Sequence, residues 1–217
     1  MPVRKIPNRG AKKNICKFFS VKMNKRLWSE SLAEEDYKYL LDFDSQVDTF
    51  EEQPFRIRYV LNGKTRYYTP DLLVIRKDGR KLVVEIKPTS QIFTPKNDLL
   101  FRIAAALCEA EGYEFVVVTV EMVRQQPRLN NVKALWKYAR TRLHPQHQIY
   151  CAELFLMREQ LTLGEVFEFF EAKGDGKHVV YALLFWGALS FDVMQPLGFD
   201  SFITYPNRTA MAARKVV

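Results

Sequence analysis

One short region of the sequence carries two carboxylates and a lysine at a spacing that suits catalysis. Asp71 follows a proline, and Glu85 is separated by one residue from Lys87. Because the side chains of a β-strand alternate between its two faces, Glu85 and Lys87 are predicted to point to the same side. Two carboxylates and an ammonium group on one patch of sheet would form a divalent-metal site with its own cation. Such a site suits the hydrolysis of phosphodiesters.

An antiparallel hairpin is the element predicted to position these residues. Between Tyr67 and Pro88, two apolar runs flank a turn at residues 77–80 that contains an Asp-Gly pair, and this pattern is typical of a hairpin. Asp71 lies beside Glu85 if the register follows the turn. A solvated surface explains Asp71 taken alone, since Pro-Asp often starts a turn. Glu85 instead ends a run that is apolar on both faces, and a charge there needs a functional reason.

The same residues resemble a known nuclease signature. Pro70-Asp71 followed by Glu85-x-Lys87 resembles the PD-(D/E)xK motif of the restriction-endonuclease-like superfamily. The resemblance covers residues 27–121 strongly and the rest of the chain only in layout. Three stretches resemble, more narrowly, TnsA, the endonuclease subunit of heteromeric Tn7-like bacterial transposases: Ser31-Leu-Ala-Glu34-Glu-Asp-Tyr-Lys-Tyr-Leu-Leu-Asp-Phe-Asp, Glu51-Glu52-Gln53-Pro54 and Tyr68-Thr-Pro70-Asp71.

The resemblance implies a cofactor and a role for each site residue. Glu34, Asp71 and Glu85 would bind Mg²⁺, which Mn²⁺ can replace, with the Ile86 carbonyl as a further ligand. Lys87 would position the attacking water and stabilise the developing negative charge. Glu85 agrees with the signature acid, where some family members have a glutamine.

Glu34 and Gln53 each have a structural explanation as well. Ser31 and Glu34 match the capping box of a helix N-terminus, in which the carboxylate bonds back to the Ser31 backbone. The residues alone favour this cap, whereas the resemblance implies a catalytic glutamate at this position of the first helix. For Gln53, the family suggests a role in orienting a metal-bound water, but an amide at a strand edge is the simpler interpretation.

The resemblance further implies a process and its partners. The chain would cleave the 5′, non-transferred strands of double-stranded DNA at transposon ends. It would act beside a TnsB-like DDE transposase, which cuts the 3′ ends, and a TnsC-like AAA+ ATPase regulator. Two alternatives stay open: a stand-alone nuclease of restriction or repair type, and a DNA-binding assembly subunit with a vestigial nuclease site. The presence of Glu34, Asp71, Glu85 and Lys87 together argues against the second.

Positive charge is concentrated in two blocks of the chain. The net charge is +8 at pH 7, and residues 1–26 hold nine Lys or Arg and no acid. Residues 122–150 hold six more without an acid, whereas residues 27–121 are acidic. Basic strips around an acidic centre fit a metal-dependent enzyme that acts on a polyanion. The predicted DNA-binding residues are Arg4, Lys5, Arg9, Lys12, Lys13 and Lys17 in the basic arm, and Lys133, Lys137 and Arg140 on one face of a helix over residues 130–142.

The pattern of elements predicts an α/β (α+β) protein whose core runs helix, three strands, helix, strand. Residues 50–61 and 64–76 are expected to form two of those strands. Near the C-terminus, residues 191–193 and 202–205 are expected to form wing strands beside a helix too apolar to read bases, so this part is expected to bind protein or pack on the nuclease domain. The predicted parts are a basic N-terminal arm (residues 1–26), a restriction-endonuclease-like catalytic domain (27–148) and a winged-helix-like domain (149–217).

Nothing in the sequence indicates a membrane protein or an exported one. The longest apolar run, residues 179–189, is too short to span a bilayer. The basic N-terminus lacks the apolar core of a signal peptide. Cys16, Cys108 and Cys151 have no spacing typical of a zinc site or a disulfide framework. A cytoplasmic location is therefore expected.

Overall fold

The computed structural model describes residues 16–206 of the 217-residue chain. By its contacts the described chain divides into a first unit, residues 16–42 and 46–124, and a second unit, residues 43–45 and 125–206. The architecture is mixed α/β with a mixed sheet, as the sequence predicts. No helix among the described residues is long and apolar enough to cross a membrane. Five predicted DNA-binding residues lie outside the described range: Arg4, Lys5, Arg9, Lys12 and Lys13.

The first unit holds the predicted catalytic residues. Its largest sheet has four strands, of which the last two in sheet order are parallel and the other neighbours antiparallel. The elements in chain order are β1 (Cys16–Ser20), β2 (Lys25–Ser29), α1 (Leu32–Phe43), β3 (Val47–Glu52), β4 (Ile57–Leu61), β5 (Lys64–Tyr68), β6 (Leu72–Arg76), β7 (Lys81–Lys87), α2 (Thr89–Ile92), α3 (Pro95–Ala110), β8 (Glu114–Thr119) and α4 (Val120–Val123). The order within the sheet is β3-β6-β7-β8.

Strand β7 lies in the interior of this sheet because its sequence is apolar on both faces. Val83 and Val84 are completely buried, and β7 pairs with β6 on one side and β8 on the other. A parallel pair such as β7–β8 needs a crossover connection, which α3 supplies. The Thr94 side chain accepts a hydrogen bond from the Asn97 amide at the start of α3, and Pro95 fits the first helical turn. The crossover thus begins at a locally encoded cap.

The prediction of continuous strands over residues 50–61 and 64–76 is wrong, since each is broken. Gln53 has a φ of 44°, in the left-handed region that ends extended pairing. Pro70 lacks the amide proton that an internal strand must donate. The chain therefore leaves the large sheet after β3 and returns to it at β6. Between these strands, β4 and β5 form a separate two-stranded sheet.

The second unit is mainly helical. Residues 191–193 form no strand; the Val193 carbonyl instead accepts a hydrogen bond from the Asn131 side chain, which holds this segment as a loop. The first predicted wing strand is therefore wrong, whereas the second, over residues 202–205, is present as a strand over Phe202–Thr204. The winged-helix-like assignment stays a prediction. The elements are α5 (Arg128–Trp136), α6 (Pro145–Leu154), β9 (Gln160–Thr162), α7 (Leu163–Ala172), α8 (Lys177–Trp186) and β10 (Phe202–Thr204). The last strand, β10, pairs with β9.

The predicted domain boundary at residue 148 differs from the division in the structure. Residue 148 lies inside α6, and the contacts divide the chain after Arg124. Helix α5 belongs to the second unit because it packs against α8 and buries an apolar face. The buried apolar residues of α5 are Leu129, Val132 and Leu135.

The helix predicted over residues 130–142 is shorter at its C-terminal end. Helix α5 ends at Trp136, and the amides that follow bond to carbonyls three residues back, a tighter turn than the α-helix. Lys133 lies on α5, Lys137 caps it and Arg140 follows it. The three cations therefore do not share one face of a single helix.

Asn131 is the buried polar residue that holds the loop of the second unit. Its side-chain amide donates to the carbonyls of Val193 at 2.9 Å and Gln195 at 2.8 Å, and 7 % of Asn131 is exposed. Asn131→Ala removes the donor from both carbonyls. We expect the free energy of unfolding to fall by about 1–3 kcal/mol.

Urea denaturation followed by circular dichroism measures this loss. Asn130→Ala is the matched control, because Asn130 is the exposed neighbour on the same helix. Its replacement should change the free energy of unfolding by no more than about 0.5 kcal/mol. Equal losses in the two variants would show that Asn131 is not the anchor of the loop.

Candidate active site

Strand pairing places Asp71 beside Glu85. In the β6–β7 ladder Leu72 is opposite Val84, and the same register one residue further sets Asp71 opposite Glu85. The Ile86 amide donates a hydrogen bond of 2.8 Å to Oδ2 of Asp71. The structure therefore brings the two carboxylates to the same end of the hairpin.

Glu85 is a buried carboxylate with a partner on each oxygen. Nζ of Lys87 lies 2.5 Å from its Oε1, and the Tyr68 hydroxyl donates a hydrogen bond of 2.5 Å to its Oε2. Only 4 % of Glu85 is exposed, and the cost of burying its charge is offset by these two contacts. Glu85 and Lys87 thus share one face of β7, as strand alternation predicts. Tyr68 is the last residue of β5, so a second hairpin contributes to the site.

The charges of this cluster do not balance. Burial raises the pKa of Asp71 well above its ordinary value, and the negative charges of Glu85 and Glu34 raise it further. Burial lowers the pKa of Lys87, but the carboxylates of Glu85 and Asp71 outweigh this, and the net pKa is raised. The cluster carries more negative charge than one ammonium group neutralises. A bound divalent cation would relieve that excess.

Glu34 forms the helix cap and also acts on Asp71. Its Oε1 accepts from the Ser31 hydroxyl at 2.8 Å, and the Glu34 amide donates to the same Ser31 oxygen at 3.2 Å. Its Oε2 accepts from the Glu30 amide at 2.9 Å, rather than from the Ser31 amide of the predicted capping box. The charge of Glu34 nevertheless contributes to the raised pKa of Asp71. The cap therefore holds this carboxylate within electrostatic range of the site.

Lys38 is a buried cation near the site that sequence analysis missed. It lies one helical turn after Glu34, is fully buried, and donates hydrogen bonds to the Trp28 carbonyl and, at 2.7 Å, to the Ser29 hydroxyl. Burial lowers the pKa of Lys38, while the carboxylates of Glu52 and Glu34 oppose that shift. A lysine inside the apolar stripe of an amphipathic helix was the available signal.

Tyr68 is a second residue that sequence analysis missed. Tyr67 and Tyr68 are adjacent, and the sequence does not distinguish the tyrosine that points inward. Cross-strand pairing does, because Tyr68 is opposite the buried Ile57 and is itself buried, whereas 61 % of Tyr67 is exposed. The register of the β4–β5 hairpin thus selects the hydroxyl that reaches Glu85.

Gln53 lies against the backbone of Asp71. The Gln53 amide donates to the Asp71 carbonyl at 3.0 Å, and its side-chain Nε2 donates to Oε1 of Glu30 at 3.0 Å. The side-chain oxygen, Oε1, is buried and has no hydrogen-bond partner among the described residues. An unpaired buried oxygen is costly, and it is available to a water or an ion. Gln53 directly follows the last residue of β3, and a role for it in orienting a metal-bound water stays a prediction.

The donor chemistry of the cluster fits a hard divalent cation. Carboxylate and amide oxygens are the ligands that Mg²⁺ prefers, usually together with water. Within residues 16–206, no group of three His, Cys, Asp or Glu side chains is already arranged to hold a metal ion. The contacts explain this, because both oxygens of Glu85 and both of Glu34 are engaged by protein donors. A cation would therefore share these oxygens with their present donors or displace them.

The predicted DNA-binding residues within the described range are mostly exposed. Lys17 lies on β1, with Nζ 5.2 Å from the centre of the Trp28 ring. In the second unit, Lys137 and Arg140 are exposed and Lys133 is half-buried. Their role in DNA binding stays a prediction.

Comparison with protein families gives a match to part of the chain. Residues 44–120 match the TnsA-like endonuclease N-terminal domain. This span runs from before β3 to the end of β8, so it includes Asp71, Glu85 and Lys87 and excludes Glu34. No curated protein matches the chain. The match confirms the resemblance predicted from the motifs, because residues 44–120 are similar to the TnsA-like endonuclease N-terminal domain.

Proposed function

We propose that this chain is a magnesium-dependent DNA endonuclease that cleaves the 5′, non-transferred strands at transposon ends. A DDE transposase and an AAA+ regulator are its proposed partners. The observation that carries the proposal is the cluster of Asp71, Glu85 and Lys87 inside the span that matches a TnsA-like endonuclease. The partners and the strand follow from the Tn7-type context of that family.

The fold supports this proposal at a coarser level. The elements α1, β3, β6, β7, α3 and β8 follow the order of a restriction-endonuclease-like core. We assign that fold to the first unit as part of the proposal. The mainly helical second unit is proposed as the winged-helix-like part, which binds a protein rather than reads DNA bases.

The carboxylates of the cluster have the task of holding the metal ion. In this proposal Asp71, Glu85 and Glu34 bind Mg²⁺, and the Ile86 carbonyl is a further ligand. When bound, the ion lowers the pKa of a water molecule and neutralises charge on the scissile phosphate. The Ile86 amide fixes Asp71 through its bond to Oδ2, so this ligand is oriented before any substrate arrives.

The remaining polar groups position the carboxylates or carry positive charge. Because the pKa of Lys87 is raised by the carboxylates despite its burial, Lys87 stays protonated at neutral pH and can stabilise charge on the phosphate oxygens. Tyr68 fixes one oxygen of Glu85. Lys38 supplies a buried ammonium group that offsets repulsion among the carboxylates.

Lys87→Ala and Asp71→Asn test the assignment of the site. We expect Lys87→Ala to slow cleavage of the non-transferred strand by a factor on the order of 10²–10³, because it removes a cation aimed at developing charge. Asp71→Asn should abolish cleavage, since a metal ligand loses its charge. The measurement is strand-specific cleavage of labelled transposon ends in a reconstituted reaction that contains the partner proteins.

Lys77→Ala is the matched control for that experiment, because Lys77 is exposed in the turn of the same hairpin. It should cleave at the wild-type rate. Near-wild-type cleavage by Lys87→Ala or Asp71→Asn would remove these residues from the site. Cleavage of plasmid DNA by the wild-type chain without partners would favour the stand-alone nuclease instead.

The difference in stability between Asp71→Asn and the wild type is expected to depend on pH. The raised pKa of Asp71 means that the folded chain binds this proton more tightly than the unfolded chain does. The ionised carboxylate therefore destabilises the fold progressively as pH rises from the unfolded pKa through the folded pKa. In EDTA at pH 8 we expect Asp71→Asn to melt at or above the wild-type temperature, with the gain shrinking as the pH is lowered to 5.

Thermal melts of both proteins between pH 5 and pH 8 check this expectation. The asparagine oxygen can still accept the Ile86 amide bond, so the comparison isolates the charge. Added Mg²⁺ should raise the melting temperature of the wild-type chain and leave that of Asp71→Asn unchanged. A variant that is less stable than the wild type at pH 8 in EDTA would contradict the excess of negative charge.

Glu34→Gln separates the cap from catalysis. Glutamine can still accept the Glu30 amide bond and donate to the Ser31 hydroxyl, so the helix cap survives and stability should change by less than about 1 kcal/mol. If Glu34 binds metal, the loss of its charge weakens Mg²⁺ binding. We expect cleavage to collapse at low Mg²⁺.

The measurement for Glu34→Gln is cleavage across a titration of Mg²⁺ and Mn²⁺, with a melting curve beside it. Glu35→Gln, the same change at the next residue, is the control and should cleave normally. Full activity of Glu34→Gln at low Mg²⁺ would return Glu34 to the cap alone.

A further inference from the structure

The β4–β5 hairpin forms a basic ribbon with no negative charge. Residues 53–70 contain no acid, although residues 27–121 as a whole hold more acids than bases. The two strands pair in a regular antiparallel register, from Ile57 opposite Tyr68 to Leu61 opposite Lys64. We call the hairpin of β4 and β5, with the residue that precedes β4, the basic ribbon. Its cations are Arg56, Arg58, Lys64 and Arg66.

Within residues 16–206, no side chain neutralises the charges of the basic ribbon. All four cations are exposed, and none forms an ion pair or a hydrogen bond with the described residues. Two other exposed arginines of the first unit are paired: Arg80 lies 2.9 Å from Asp78, and Arg102 lies 3.0 Å from Asp98. The ribbon therefore keeps its positive charge for an external anion.

The base of the basic ribbon is anchored in the core beside the candidate active site. Ile57 and Tyr68 belong to a buried cluster that includes Leu73 and Val83. The Tyr68 hydroxyl holds Glu85. The end of the ribbon is thus fixed to the catalytic carboxylate itself.

The outer part of the basic ribbon places cations beside exposed apolar side chains. Arg58 is directly opposite Tyr67, of which 61 % is exposed. Val60, on the same face two residues from Arg58, is 63 % exposed. Mixed basic and aromatic surfaces of this kind suit nucleic acid, because the cations contact phosphates and the rings contact sugars or bases.

We propose that the basic ribbon is the element of the first unit that binds the DNA duplex next to the scissile phosphate. A two-stranded β-ribbon fits the major groove of B-DNA, and unpaired arginines and lysines complement its phosphates. DNA is a better partner for the ribbon than an acidic protein, because the ribbon ends at Tyr68, which holds the Glu85 carboxylate of the proposed nuclease site. This inference rests on the proposed nuclease function and adds the place where the substrate is held.

The test is DNA binding by the full chain in EDTA, so that no cleavage is required. Fluorescence anisotropy of a labelled duplex, measured between 50 and 250 mM KCl, gives the affinity and its salt dependence. Arg56→Ala combined with Arg58→Ala removes two exposed cations that alternate with the buried Ile57. It should lower the slope of log affinity against log salt by about 1.8, since each lost phosphate contact contributes about 0.9. At 100 mM salt the affinity should fall by a factor on the order of 10–100.

Lys96→Ala combined with Arg102→Ala is the matched control. Both residues are exposed on α3, and the pair removes the same charge from the same unit. The control should change the slope by less than half as much. Melting curves show whether each double variant is folded, and the exposed positions predict that both are.

Three results would overturn the inference: equal losses in the two double variants, unchanged binding by the ribbon variant, or no measurable binding by the wild-type chain. Unchanged binding by the ribbon variant beside normal binding by the wild type would point to a protein partner for the ribbon. A different result would refute the nuclease proposal. A chain that binds DNA through the ribbon but never cleaves in the reconstituted reaction keeps this inference and loses that function.

Discussion

The structure depends on how one buried carboxylate is held. Glu85 is almost completely inaccessible, and such a charge is tolerated only with close partners. Lys87 supplies one partner from the same strand, and Tyr68 supplies the other from a separate hairpin. Three strands meet this requirement together. Strand β7 carries Glu85 in the interior of the sheet, and β6 begins directly after Asp71. Strand β5 ends at Tyr68, whose hydroxyl reaches Glu85.

The excess of negative charge is the second physical feature of the site. Burial raises the pKa of Asp71, and the negative charges of Glu85 and Glu34 raise it further. The protein balances part of this charge with Lys87 and with the buried Lys38. Because the carboxylates outnumber the nearby ammonium groups, the site is well suited to bind a divalent cation. Cations around the site can then hold a phosphate. In the proposed mechanism, the same excess of negative charge would bind the metal ion that catalysis needs.

The sequence predicts those features that depend on neighbouring residues. The β6–β7 hairpin follows from its Asp-Gly turn and its apolar runs, and the register of that hairpin brings Asp71 to Glu85. Features that depend on distant parts of the chain are not visible in the sequence. The break at Gln53 requires a left-handed backbone that no glycine marks, and the choice of Tyr68 over Tyr67 depends on pairing across a hairpin. Lys38 is marked in the sequence only by its place in the apolar stripe of α1, and its hydrogen-bond partners, Trp28 and Ser29, become visible only when the helix is packed.

The central claim is that Asp71 and Glu85 bind a metal ion while Tyr68 keeps Glu85 in place. The most direct measurement is an anomalous difference map from crystals of the chain soaked with Mn²⁺. The account predicts one strong peak within ligand distance, about 2.0–2.3 Å, of a carboxylate oxygen of Asp71 and one of Glu85, with the Tyr68 hydroxyl still bonded to Glu85. A map without a peak between these carboxylates, or with Mn²⁺ bound only elsewhere, would contradict it.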